Sequence, residues 1–523
     1  GVSLSWEDDR IHLENDTLTG ESTGEDVILK MRWKLEGEAA PRWWRQGWQS
    51  WSWSGVVELE GEEPTVGGDG DTYSVIEETA QSSWEAALLG RPGGPSLHVG
   101  ALSAQQGKVW LGITEEELWV VWEDPAPGAL EPVRLSAGDD PNALWEAWAD
   151  SIQGRTPPPP PTGWSDWYSY YGDATEADIL RNLDEAAARG LELVQVDDGW
   201  ERAWGDWEAN ADFPSGMDGL AAAIRDRGLQ PGLWMAPLLV HRSTATYLDH
   251  PDWWVLDEAG EELQDGACDC ATLDVTHPDA AAWMQAQIRT RVSEGWTYLK
   301  LDFLYAGARE GQRQEALNGA EAYARATELL REAAGEDTWI LACGAPMLPS
   351  VGFADSWRSG ADIAFFVAPN PDRAFLRWQA RSTAARAWAN GRWWWNDADN
   401  LMVGADPSAA LAAQVAAGGS FLYGEELSGV DVPDLTAFRG LRSRPEDPLD
   451  FVSGIDGSPI LERGEPNDRV PTRWQLEDGT VVLLNLSEES VELEGPGGTE
   501  WISGSTAAAG SRLLEPGTGE VWR

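Results

Sequence analysis

Cysteine, lysine and histidine are all scarce in this chain of 523 residues. Three cysteines, Cys268, Cys270 and Cys343, cannot staple a disulfide scaffold. A spacing of one residue is poor for a bridge between Cys268 and Cys270, so all three are expected as buried thiols. His12, His98, His241, His250 and His277 are scattered, with no His-x-x-x-His pair, so no metal and no cofactor is expected. Lysine occurs only at Lys30, Lys34, Lys108 and Lys300. No apolar run is long enough to span a bilayer. No charged-then-apolar leader opens the sequence, which together with unpaired thiols favours a cytoplasmic location.

What the chain does have is acid. There are 89 acidic against 37 basic residues, a net charge of −52. Such a surface repels nucleic acid and anionic membranes, so neither is expected as a partner. Hydrophobic residues nevertheless reach 42%, with 33 tryptophans, so the chain can fill a core and is not of the disordered class. A folded protein with a carboxylate-coated surface suits concentrated salt, which screens the self-repulsion.

The clearest boundary is the run of prolines at 157–161, stiff and without backbone donors. Before it, short alternating runs at 27–33, 72–75, 109–113 and 118–122 read as a β-sandwich, followed by a helix at 142–152. After it, strand-like segments at 164–170, 193–198, 232–236, 298–303, 339–343, 354–359, 392–396 and 420–423 alternate with helical stretches such as 175–189, 278–294 and 315–334. Eight β-then-α units argue for a (β/α)8 barrel, which needs about 250 residues. A doubly wound sheet would want a glycine-rich turn after its first strand, and none follows 164–170. Beyond residue 440 the alternation stops, and 474–476, Asp478-Gly479 and 481–486 have the signature of a hairpin. The expected architecture is multidomain α/β: an N-terminal β-sandwich with its linker helix (1–156), a central barrel (157–440) and a small all-β domain (441–523).

A barrel enzyme keeps its site at the C-terminal ends of its strands. Those ends carry Trp167 and Tyr168; Asp197 and Asp198; Trp234; Lys300 and Asp302; Cys343; Arg358 with Asp362 beyond it; and Asp397 and Asp399. Carboxylates and indoles suit a neutral polyol ring, because indole faces stack on C–H faces and carboxylates accept hydroxyl protons. Glycoside cleavage needs two carboxyl groups, one to attack the anomeric carbon and one to protonate the leaving oxygen. Strand alternation puts Lys300 and Asp302 on one face. Taken singly, Asp198-Gly199 is also an ordinary turn, Arg358 with Asp362 an ordinary surface pair, and most tryptophans core.

Together these residues carry a resemblance. Gly163-Trp164-Ser165-Asp166-Trp167-Tyr168, Val196-Asp197-Asp198-Gly199-Trp200, Gly205-Asp206-Trp207, Phe213-Pro214-x-Gly216, Gly232-Leu233-Trp234, His250-Pro251-Asp252-Trp253, Lys300-Leu301-Asp302, Cys343-Gly344-Ala345-Pro346 and Arg358-x-x-x-Asp362 follow one another as in the melibiase-type α-galactosidases of glycoside hydrolase family 36, which the segment 160–400 resembles. The resemblance implies Asp302 as nucleophile and Asp362 as acid and base. It implies Asp197 and Asp198 on the C4 and C6 hydroxyls, Trp234 and Tyr168 beside the ring, Lys300 and Arg358 on ring hydroxyls, and Cys343 near C2. Gly47-Trp48-Gln49-Ser50-Trp51 resembles the family's loop over the barrel mouth, with Trp48 and Trp51 as alternatives for its contact. Leu301, Leu304 and the Arg358-Ser359-Gly360-Ala361-Asp362 form depart from many bacterial members and resemble a shorter, thermophile-like branch.

The partner implied is a small-molecule α-galactoside. Lys300 is expected beside Asp302 as its counter-charge. Arg358 is expected to point at the sugar or at Asp302, because a cation against Asp362 would oppose the proton an acid needs. A galactosyl transferase of the raffinose-synthase kind, a Schiff-base aldolase using Lys300 and a non-catalytic galactose-binding protein are the alternatives.

Overall fold

The computed structural model describes residues 2–523 apart from 8–9, 15–19, 24–25, 34–40, 60–80, 91–95, 124–129, 156, 266–267, 364–372, 403–406, 429–472 and 487–488. The strand expected at 72–75 and the divisions at 156 and at 440–441 lie outside the described residues.

Short, largely buried segments form the centre of the molecule. They are β1 (Thr162–Ser165), β2 (Leu193–Val196), β3 (Gln230–Met235), β4 (Tyr298–Leu301), β5 (Trp339–Ala342), β6 (Ser356–Arg358), β7 (Trp395–Asp397) and β8 (Phe421–Tyr423). They pair in parallel as an eight-stranded sheet in the order β7-β6-β5-β4-β3-β2-β1-β8. The Ser420 N–H donates to the Asn396 carbonyl at 2.9 Å, which brings β8 back to β7 and nearly closes a barrel. All eight expected strands are present in part, but Trp167–Tyr170, expected as the end of the first, is a short helix, and the seventh, expected at 392–396, begins only at Trp395.

The connecting helices are α1 (Glu176–Ala188), α2 (Gly216–Arg225), α3 (Pro278–Glu294), α4 (Gly319–Ala334), α5 (Arg373–Ala385) and α6 (Pro407–Ala417). Their ends follow local chemistry. Thr175 with Asp178, and Asn318 with Glu321, form reciprocal capping boxes that satisfy the first orphan amides of α1 and α4. Gly295 ends α3 at φ 102°, where a side chain would be strained.

One helix is missing. β5 and β6 are joined only by a short 3-10 turn, Leu348–Ser350. The N-terminal unit docks there. The Leu348 N–H donates to Glu85 Oε2 at 2.7 Å, and Gln49 bridges Pro346. That unit is two mostly antiparallel sheets. One contains Asp26–Arg32, Glu117–Glu123, Lys108–Ile113 and Ser82–Trp84; the other contains Val133–Gly138, Ser96–Ala101, Ala86–Gly90, Arg42–Arg45 and Gly55–Glu58. Trp44 of this unit meets Trp145 of the linker helix Pro141–Ala149, which in turn meets Trp388 of the barrel with centroids 5.2 Å apart. These tryptophans join the N-terminal unit, the linker helix and the barrel. The C-terminal sheets pair Arg473–Gln475 with Val481–Asn485 through a turn at Gly479 (φ 85°), as the hairpin signature predicts.

Cys268 and Cys270 are joined by a disulfide, contrary to expectation. The chain turns tightly just ahead of the strand Cys270–Thr272, and the Cα atoms lie 5.2 Å apart, within bridging range. Cys343 is free and buried. This removes the unpaired thiols of Cys268 and Cys270 as a reason for a cytoplasmic location. No helix among the described residues is long and apolar enough to cross a membrane.

Candidate functional site

The C-terminal strand ends converge on a crowd of buried carboxylates held by two cations. At the end of β4 the chain leaves the barrel sharply, with Phe303 in the left-handed region at φ 52°. That turn presents Asp302. Trp234 Nε1 on β3 donates to Asp302 Oδ2 at 3.0 Å, and the Phe303 N–H donates to Oδ1 at 2.8 Å.

Lys300 does not sit against Asp302 as its hydrogen-bonding partner. Its ammonium donates to Asp197 Oδ2 at 2.8 Å. The reason lies in the register. Trp234 pairs with Lys300, and Val196 pairs with Leu233, so Asp197 at the end of β2 stands level with Lys300 across β3. Gln195 Nε2 also donates to Asp197 Oδ2, at 2.8 Å. Burial works against the Lys300 ammonium, but Asp197 and then Asp302 outweigh it, and the pKa is raised. A lysine kept charged in this way is a poor Schiff-base nucleophile, which weighs against the aldolase alternative.

Asp197 and Asp198 are held differently. The Asp197 N–H donates to Asp166 Oδ1 at 2.7 Å, and Asp197 Oδ1 accepts the Asp198 N–H at 3.0 Å. Trp204 Nε1 donates to Asp198 Oδ1 at 2.9 Å. Burial pushes the Glu201 carboxyl well up, aided by Asp198, so Glu201 holds a proton to share with its neighbour. Burial likewise raises Asp166 strongly, with Asp197 adding to it.

The other cation is Arg358, at the end of β6. Its guanidinium reaches Asp397 Oδ2 at 2.7 Å, Asp362 Oδ1 at 2.9 Å and Asp399 Oδ1 at 3.0 Å. The expectation that Arg358 avoids Asp362 is therefore wrong. Arg358 does oppose the proton on Asp362, as expected of a cation there, yet the Asp362 pKa is still raised to about 7. Burial is the largest cause and Asp399 the next, and together they outweigh Arg358 and Lys300. One guanidinium divided among three carboxylates cannot hold all of them ionised cheaply. The Tyr168 hydroxyl donates to Asp399 Oδ2, and so does the Ile363 N–H at 3.0 Å.

Cys343, at the end of β5, is buried, and its thiol is pushed well up by burial and by Asp302, so it stays neutral. The two loop tryptophans separate. Trp51 packs on Phe303 with centroids 5.3 Å apart, next to Asp302. Trp48 lies farther back, 6.1 Å from Trp84 and under the Lys108 ammonium at 5.4 Å.

The structure thus brings Asp197, Asp198, Trp234, Lys300, Asp302, Cys343, Arg358, Asp362, Tyr168 and Trp51 to one end of the barrel, with Trp48 behind. Sequence reasoning assigned no role to Trp204 or Asp166 and did not foresee that Asp397 and Asp399 share the Arg358 guanidinium. The last two stand at a strand end, and that position was the only signal they carried. Among the described residues no group of three His, Cys, Asp or Glu side chains could hold a metal ion.

A family model described as Melibiase matches residues 160–323. Among curated proteins, the α-galactosidase AgaA of Geobacillus stearothermophilus is 40% identical over 97 residues, 17% of this chain and 13% of that protein. The bifunctional α-galactosidase/sucrose kinase AgaSK of Mediterraneibacter gnavus is 28% identical over 142 residues, 22% of this chain and 15% of that protein. These matches span far less than two thirds of either relative. Among solved structures, TtGalA, an α-galactosidase from Thermus thermophilus in complex with p-nitrophenyl α-D-galactopyranoside, superposes with a TM-score of 0.67 at 30% identity, over 87% of this chain and 91% of that one. The structure of AgaA shares the fold, with a TM-score of 0.60 at 14% identity, over 95% of this chain and 76% of that one.

Proposed function

The chain belongs to the melibiase-type α-galactosidases, and from that premise we propose that it hydrolyses terminal, non-reducing α-D-galactosides with retention, through a covalent galactosyl-Asp302 intermediate. The observation that supports this best is the contrast at the barrel mouth between Asp302, whose two oxygens accept from the Trp234 Nε1–H and the Phe303 N–H, and Asp362, whose carboxyl burial and Asp399 push up to about 7. A general acid is most useful when its pKa lies near the working pH.

In the first step an Asp302 oxygen attacks the anomeric carbon. The bond from that carbon to the glycosidic oxygen breaks, and Asp362 gives its proton to the departing oxygen. In the second step Asp362, now a carboxylate, takes a proton from water. The water oxygen attacks the anomeric carbon, and Asp302 leaves as a carboxylate. The two inversions give net retention. Asp197 and Asp198 accept hydrogen bonds from the C4 and C6 hydroxyls. An equatorial C4 hydroxyl would leave such buried acceptors unpaired, which separates galactose from glucose. Lys300 fixes the Asp197 carboxylate in place, Trp204 and Glu201 fix Asp198, and the Trp234 and Trp51 indoles wall the ring. This catalytic unit is taken as residues 157–440.

Proton NMR during cleavage of p-nitrophenyl α-galactoside tests the reading. The first-formed sugar should be α-galactose, appearing before mutarotation. β-Galactose as the first product, or no cleavage, would overturn it.

A further inference from the structure

Arg386, just beyond α5, is fully buried and belongs to none of the groups used above. Its Nε donates to Gln46 Oε1 at 3.1 Å; Nη1 donates to the carbonyls of Ser50 at 2.6 Å and Ser359 at 3.0 Å; Nη2 donates to the carbonyls of Gln49 at 3.0 Å and Ser52 at 3.1 Å. A guanidinium has five N–H donors in a rigid fork, and these five bonds use every one. Four of the acceptors belong to the 46–54 loop of the N-terminal unit. The fifth belongs to Ser359, which follows the Arg358 that holds Asp362. Burial draws the pKa of Arg386 down to about 9, with Glu85 pulling the other way, so it is charged at neutral pH.

The loop so held is pressed against the barrel mouth. Its Ser50 exchanges bonds with Ala345, with the Ser50 N–H donating to the Ala345 carbonyl at 3.0 Å and the Ala345 N–H to Ser50 Oγ at 3.2 Å. A Cβ on neighbouring Gly344 would stand 2.9 Å from the Trp51 ring. Trp51 is wedged there against Phe303, one residue from Asp302.

We propose that Arg386 is a positioning residue for the hydrolysis: it clamps the 46–54 loop to the end of β6 and so holds Trp51 as a wall of the sugar site. This rests on the galactosidase reading above. Lysine has only three donors on a flexible stem and cannot span the five acceptors, so it should restore the clamp in part.

The test uses the full chain as Arg386→Lys, Arg386→Met, Trp51→Ala and the double variant Arg386→Met with Trp51→Ala. Hydrolysis of p-nitrophenyl α-galactoside is measured beside limited trypsin digestion, read by mass spectrometry at the Arg45-Gln46 bond at the base of the loop. Arg386→Met should raise KM by roughly tenfold with a smaller fall in kcat, and Arg386→Lys should lie between it and the parent. Trp51→Ala should raise KM alike, and the double variant should add little, because both remove one element. Trypsin should cut after Arg45 in Arg386→Met and not in the parent. A cooperatively folded Arg386→Met with parental KM overturns the proposal. If Arg386→Met fails to fold, Arg386→Lys decides by the same readouts. If the parent cleaves no galactoside, the functional reading fails by itself, and a loop as trypsin-resistant in a folded Arg386→Met as in the parent would still overturn the clamp.

Discussion

The two halves of the site have the same ingredients, a buried cation among carboxylates, and different protonation. On the β2 to β4 side Lys300 has one direct carboxylate partner, Asp197, and a side-chain amide from Gln195 shares the load. On the β6 to β7 side Arg358 has three direct partners, Asp362, Asp397 and Asp399. The first arrangement locks a charge. The second leaves a surplus of negative charge that one proton must relieve, and that proton falls on Asp362, whose pKa rises to about 7. The Lys300–Asp197 pair grips and the Arg358 cluster titrates, although burial raises the neighbouring Asp166, Asp198 and Glu201 as well. Counting cations and anions by residue type would not separate them; counting the partners within hydrogen-bonding reach does.

The largest way to break this contrast is to remove the titrating group. Asp362→Ala should lower kcat/KM on melibiose by about 10²- to 10⁴-fold while largely sparing aryl galactosides with good leaving groups, which need little protonation. Equal losses on both would remove the acid role. Next comes the locked charge. Lys300→Met should leave Asp197 buried without its cation and cost about 3–5 kcal/mol of stability by denaturant unfolding, whereas a loss within about 0.5 kcal/mol would mean that the pair is not locked.

A finer change moves the proton without removing its carrier. Asp399→Asn takes away the carboxylate that, after burial, does most to raise Asp362. Asp362 acts as an acid while protonated, so activity falls as pH rises through its pKa. Lowering that pKa should shift the basic limb of kcat/KM, near pH 7 in the parent, to lower pH by about one unit. An unmoved limb would detach it from this cluster. The smallest effect concerns the surface. A net charge of −52 predicts a higher melting temperature in molar KCl than in dilute buffer, shifting both halves of the site together. Equal melting temperatures would remove the high-salt reading.

How legible these features were depends on whether they are local. The barrel strands were readable because short, largely apolar segments such as Trp339–Ala342 alternate with helical stretches. Lys300 and Asp302 were readable as neighbours on one strand face. The partner of Lys300 was not, because it depends on the register of β2, β3 and β4. Arg358 and Asp362, four residues apart, were readable as a pair, but the deciding neighbour, Asp399, comes from the end of β7. Arg386 left no motif, since its acceptors are mostly backbone carbonyls far away in sequence. The Cys268–Cys270 bridge was missed because it rests on a tight local turn that spacing alone does not disclose.

The account stands or falls on Asp302 as the attacking group. The direct measurement is turnover of p-nitrophenyl α-galactoside by Asp302→Ala with and without sodium azide, the product identified by NMR. The account predicts no turnover alone, and restored turnover giving β-galactosyl azide when azide attacks from the vacated face. Near-parental activity without azide, or α-galactosyl azide as the product, would contradict it.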